Sequence, residues 1–331
     1  MKIRHIVFSL LFFVCLAAAL ILGSCRKSVT SENTRDFAAE TFTGTSDTKY
    51  VQLAAYLGED KYLSPDGMME IKNTIESKLL ENSIEPKGNY LISGSREQGV
   101  SVTRNNVSFD AIATVYFGNW FLLHPDMPVS GGYVDESAAT TDFCVIDDLT
   151  AWRAFGSTDV CGMELEINGK IYTVCAVNRA DRGEYAEYYG TKPRVYILYS
   201  SAAMRDNRLA FTSLEAVLPS PVSDFAESIF KDAVASYTKE VYVITDRFSP
   251  IELFDNIKTF SSLGVMEGKS FPYYENVARI MEAKCAMILA FEGTFYILAI
   301  LFLTVLLILI FRPVFKHIEE KRIAKKRHAV Y

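Results

Sequence analysis

Hydrophobic and polar positions divide the chain into an uncharged run near each end and a long patterned segment between them. Near the carboxyl end, Gly293 to Phe311 holds nineteen residues without a charge. As a helix rising about 1.5 Å per residue, this run spans roughly 28 Å, close to the hydrocarbon thickness of a bilayer. Ile6 to Ser24 is uncharged over the same length. The pattern predicts two transmembrane helices that enclose one large segment. For the first run three readings stand: a retained spanning helix, a lipoprotein signal whose Leu22 to Cys25 stretch leaves Cys25 acylated, or a cleaved secretory signal.

Between the runs the period changes. Arg26 to Asp47, rich in Ser, Thr and charge, reads as a linker. Tyr50 to Tyr56 reads as a strand. Ser64 and Pro65 open a helix as N-cap and first helical residue, with Met68, Ile71, Ile75 and Leu79 on its buried face. From Asn89 to Leu218, short apolar runs broken by Gly, Asn, Asp and Pro predict a β-rich region. Asn168-Gly169 forms the type I′ turn of its clearest hairpin, and Asp147 to Phe155 is a short Asp-capped helix. Further on, the pattern predicts a helix from Ser223 to Tyr237 and a strand from Glu240 to Thr245. A capped helix follows from Ser249 to about Phe260, and a last helix starts at Ser270 and continues into the second span as one rod.

Charge orients this layout. The tail from Arg312 to Tyr331 carries seven Lys/Arg against two Glu, and Lys2 and Arg4 precede the first run, so both termini are expected in the cytoplasm of a two-span plasma-membrane protein. Arg26 and Lys27, on the other side, run against the rule. Outside the cytoplasmic ends remain 25 Lys/Arg and 38 Asp/Glu, a net of −13 that argues against nucleic acid as a partner. The expected divisions are 1–5 cytoplasmic, 6–24 first span or signal anchor, 25–49 linker and 50–265 extracytoplasmic core. A stalk helix at 266–292, the span at 293–311 and the basic tail at 312–331 complete the chain. The six cysteines include no CxxC pair, and Cys144 and Cys175 lie in apolar strand-like runs where a thiol acts as a small hydrophobe.

Residue supply excludes most chemistry. Of the four histidines only His124 falls in the enclosed segment, within the turn-like Leu123 to Asp126, and it reads as a solvated loop residue. A metal site with two His ligands cannot be built there, and no catalytic, cofactor-binding or metal residue is assigned. Asp147 and Asp148 read as a helix N-terminus. Gly264 to Ser270 ends like a phosphate-binding loop but has three residues between its glycines where four are needed, and reads as an inter-helix loop. Tyr185, Tyr188 and Tyr189 read equally as a contact surface or as packing.

Residues 113–177 resemble the extracytoplasmic core of MacB-type, FtsX-like ABC transporter permeases. The resemblance rests on Val115 to Phe117 with Trp120 and Phe121, then Pro128 to Tyr133, then Cys144 to Ile146 with Leu149 and Ala151. Ala154 to Gly156, Val160 with Gly162, and Ile171 to Val177 continue it; Leu218 to Ala226 and Phe271 to Arg279 resemble further permease segments. It implies an α+β extracytoplasmic domain of MacB periplasmic-core type between two transmembrane helices, a mechanical part without enzyme activity or cofactor. It also implies an ABC-type export or cell-envelope system in which a cytoplasmic ATPase subunit drives the chain. Family permeases have four spans where this chain has two, so the chain reads as one half of a split permease, an accessory subunit or a truncated relative, with a second permease subunit, alongside membrane lipid, as the expected partner. The segment around Ile318 to Ile323 is the remnant of a coupling helix, which makes Lys316, Glu319, Glu320, Lys321 and Arg322 the expected ATPase-side contacts. The other reading of the same chain is a membrane-anchored binding or assembly module not coupled to ATP hydrolysis.

Overall fold

The computed structural model describes residues 2–31, 35–42, 44, 48–57, 63–126, 128–134, 142–180, 192–202, 210–257 and 271–328. In chain order the elements are α1 (Lys2–Ser31), a 3-10 turn (Arg35–Phe37), α2 (Ala38–Thr41), β1 (Tyr50–Tyr56), α3 (Pro65–Glu81), β2 (Leu91–Arg104), β3 (Val107–Gly118), α4 (Trp120–Leu123) and β4 (Pro128–Gly131). They continue as β5 (Phe143–Asp147), α5 (Asp148–Phe155), β6 (Glu164–Ile167), β7 (Lys170–Asn178), β8 (Arg194–Leu198), α6 (Tyr199–Ala202), β9 (Ser213–Pro219), α7 (Phe225–Val234), β10 (Tyr242–Val243), α8 (Pro250–Ile257) and α9 (Tyr273–His328). The chain forms two compact units. One, here the head, is Asn33–Arg247 with Ser262–Ile280, and the other is Met1–Glu32, Phe248–Ser261 and Met281–Tyr331.

The head is mixed α+β. Its sheet runs β10-β1-β9-β2-β3-β8-β5-β7-β4, and β6 pairs with both β7 and β2, which closes β2, β3, β8, β5, β7 and β6 into a ring. Alternation fills that ring. Val100 and Val102, Ala111, Ala113 and Val115, Val195 and Ile197, Cys144 and Ile146, Leu165 and Ile167, and Tyr172 and Val174 all point inward as a buried cluster. The open half of the sheet is covered by α3 and α7, which bury Met68, Ile71, Ile75, Leu79, Ile229 and Phe230 against Leu53, Leu214, Ala216 and Leu218. Ser64 caps α3 by accepting from the Gly67 N–H at 3.1 Å, and Asp147 caps α5 by accepting from Thr150 at 2.7 Å. Asn168 and Gly169 have φ of 49° and 78°, the left-handed pair a type I′ turn needs.

Three elements depart from the pattern. The strand expected over Glu240 to Thr245 shrinks to Tyr242–Val243, because the Thr245 hydroxyl takes the Gln52 N–H at 2.7 Å and turns the chain off the edge. Where the sequence reads a linker from Arg26, α1 continues to Ser31. Ala38 and Ala39 then pack under Tyr50, Leu91, Leu123 and Val217, with the Ala38 N–H donated to Gln52 at 3.2 Å. The last rod begins at Tyr273 and runs unbroken for 56 residues, with Pro313 inside it. Gly264 to Ser270 and Tyr185 to Tyr189 lie outside the described residues.

In the second unit α1 and α9 run antiparallel: Phe8 lies beside Phe302 with ring centres 6.2 Å apart, and Arg26 pairs with Glu292. Both helices are long and apolar enough to cross a membrane.

Candidate functional site: the seat of the last helix

The face of the sheet opposite α3 and α7 carries a polar row. Register aligns Tyr56, Ser213, Ser95 and Tyr116 across β1, β9, β2 and β3; Glu215 lies opposite Ser93, and Glu97 opposite Thr114. These groups are costly to bury without partners. The first turn of α9 supplies partners with three consecutive side chains.

Tyr273 lies under the Arg194 guanidinium, 3.5 Å from its ring centre, and Arg194 is itself bound to Glu97 at 2.6 Å. Tyr274 meets the edge of Trp120 at 5.7 Å and lies 4.6 Å from the His124 ring. Its hydroxyl is 3.4 Å from Ser213 Oγ, which shares a 2.6 Å hydrogen bond with Ser95 Oγ. Glu275 is 1% exposed. It accepts from Tyr56 at 2.9 Å, from both terminal nitrogens of Arg247 at 3.1 Å, and from Arg279 Nε at 2.8 Å. Arg247 also reaches Asp36 at 3.2 Å. Burial first, then the Glu275 charge, pushes the Tyr56 hydroxyl well above the usual phenol range, so it stays protonated as a donor. Asp36 lies in the turn that follows α1, and Glu275 opens α9. Arg247 therefore ties the two chain segments that lead to the apolar helices onto one sheet face.

His124 is corrected. It closes α4, is 2% exposed, binds Glu215 Oε2 through Nε2 at 2.6 Å, and lies 3.9 Å from the Trp120 ring. Leu123, fully buried beside it, draws the turn-like stretch onto the sheet. No hydroxyl or thiol among the described residues hydrogen-bonds to it, and its Nδ1 has no partner there. Asp147 accepts from Thr150 and from the Arg194 N–H at 3.0 Å, and Asp148 accepts from Ala180 at 3.0 Å, the helix-start role read from sequence. Among the described residues no three His, Cys, Asp or Glu cluster as a metal site. Cys25 is exposed on α1; Glu320 and Lys321 are exposed on α9, while the side chains of Lys316, Glu319 and Arg322 lie outside the description.

Next to the seat is a cleft of about 350 Å³ lined by Tyr116, Asn119, Trp120, Phe121, Leu122 and Tyr133, where Phe121 and Tyr133 stack at 3.9 Å. The seat itself escapes sequence reading. Its parts come from eight separated segments, and the one local signal is the run Phe271 to Glu275, aromatic and acidic at a helix start.

No family model matches the chain, and no curated protein does. Among solved structures it is similar to the extracellular domain of the noncanonic ABC-type transporter YknZ from Gram-positive bacteria, at 11% identity and a TM-score of 0.43, over 59% of this chain and 98% of that one. It is similar to the periplasmic region of MacB from Actinobacillus actinomycetemcomitans, at 14% identity and a TM-score of 0.46, over 65% and 94%. A domain of a putative permease protein from Porphyromonas gingivalis is similar at 12% identity and a TM-score of 0.35, over 61% and 90%.

Proposed function

We propose that this chain is a permease-like membrane subunit of an ABC-type export or cell-envelope system, and that a cytoplasmic ATPase moves its head through α9. The observation that carries the reading is the seat: Tyr273, Tyr274 and Glu275 grip the sheet at three places, on the same continuous helix that bears the apolar run. A helix held that firmly at one end passes an axial or rotational displacement to the sheet rather than dissipating it in a hinge. The antiparallel course of α1 and α9 supports termini on one side, and the basic residues at both ends favour the cytoplasm. In this reading 50–265 is the moving core, 266–292 the stalk, 293–311 the lipid-embedded span and 312–331 the ATPase-side tail. A second permease subunit is the partner this reading expects beside it.

Affinity capture of the detergent-solubilised full chain tests this. It is expected to recover a nucleotide-binding ATPase subunit, and deletion of Lys316 to Tyr331 is expected to abolish recovery. Capture that yields no ATPase from the intact chain leaves the anchored binding module as the surviving account.

A further inference from the structure

The antiparallel helix pair carries a lock at the ends remote from the termini. Arg26 stands just past the apolar run of α1, and Glu292 just before that of α9. Arg26 Nε donates to Glu292 Oε2 at 3.2 Å, with the two side chains 15% and 11% exposed. A charge at the edge of lipid is costly alone and tolerable when paired, so this contact answers the violation of the charge rule that Arg26 poses in the sequence. Close approach comes with it. A Cβ built on Gly23 would stand 3.0 Å from Glu292 Oε1, and Ala19 and Cys15, four and eight positions earlier, are buried. Ala299 on α9 is buried too. Small residues at every fourth position let two apolar helices pack backbone to backbone.

We infer that α1 is a retained spanning helix, locked to α9 through Arg26 and Glu292, and that the lipobox-like stretch from Leu22 to Cys25 is not processed. Cleavage before Cys25 would remove residues 1–24, and with them Cys15, Ala19 and Gly23, leaving the apolar flank of α9 open. The inference rests on the membrane reading but not on ATPase coupling.

The experiment uses the full chain with a carboxyl-terminal tag, purified from membranes, as wild type, Arg26→Glu, Glu292→Lys and the double exchange. Intact mass is expected to include residues 1–24 without an acyl group. Each single reversal is expected to lower the amount of inserted chain about fivefold, and the exchange to restore most of it. A chain that begins at Cys25, acylated or not, overturns retention. Single reversals that insert as well as wild type, or an exchange that fails to rescue them, overturn the lock. Neither result alters whether the tail recovers an ATPase, so the two proposals fail separately.

Discussion

Glu275 is buried, so its charge depends on Arg247, Arg279 and the Tyr56 hydroxyl. Such a cluster can be worth little against a well-packed apolar replacement, yet removing one member strands the others. Glu275→Ala is expected to cost about 3 kcal/mol of head stability, read by urea unfolding of the solubilised chain. Lys78→Ala, which removes a surface pair with Asp232, is expected to leave the same curve unmoved. Thiol chemistry gives a second check at this scale. Burial pushes the Cys175 thiol up to about 11, and its Sγ donates to the Cys144 carbonyl at 3.3 Å. Because the reactive thiolate is the minor form below that value, alkylation of Cys175 is expected to be slow at pH 7 and to rise about tenfold for each pH unit added. Cys161, exposed, is expected to react before Cys175. Peptide mass spectrometry after timed alkylation reads both, and equal rates at pH 7 would contradict the raised pKa of the half-buried Cys175.

At the scale of elements, sequence signals succeed where the cause is local. Strand β1 has the bounds its apolar run predicts, α3 and α5 begin at the caps their Ser and Asp announce, and the β6–β7 hairpin turns at Asn168-Gly169. Each of these is settled within a few residues. Gly169→Val places a branched side chain at φ 78° and is expected to cost about 1–3 kcal/mol, measured as a lowered unfolding midpoint. An unchanged midpoint would mean that the turn relaxes to another type. The failures have distant causes. Glu240 to Thr245 alternates like a longer strand, but Gln52, far away in sequence, donates its N–H to the Thr245 hydroxyl and ends the pairing. His124 sits in a stretch with turn composition, and only Glu215 and Trp120 together draw it inside.

For the whole molecule, the two apolar helices and the head between them set a simple topological expectation. Trypsin added to intact cells is expected to cut exposed head loops while sparing a tag placed after Tyr331, although the tail offers seven Lys/Arg. Loss of the tag with the head intact would reverse the orientation. Hydrophobic length and charge distribution are properties of composition, so two candidate spans, an acidic enclosed segment and an α+β pattern were settled by the residues in order. The closed six-strand ring and the seating of Tyr273, Tyr274 and Glu275 were decided only by folding. Both depend on pairings between segments far apart in the chain, such as Tyr56 with Glu275 or Val102 with Ile167. No local propensity records those pairings. Long-range contacts of this kind form because buried polar groups must find partners, and which partners lie within reach is a property of three-dimensional proximity.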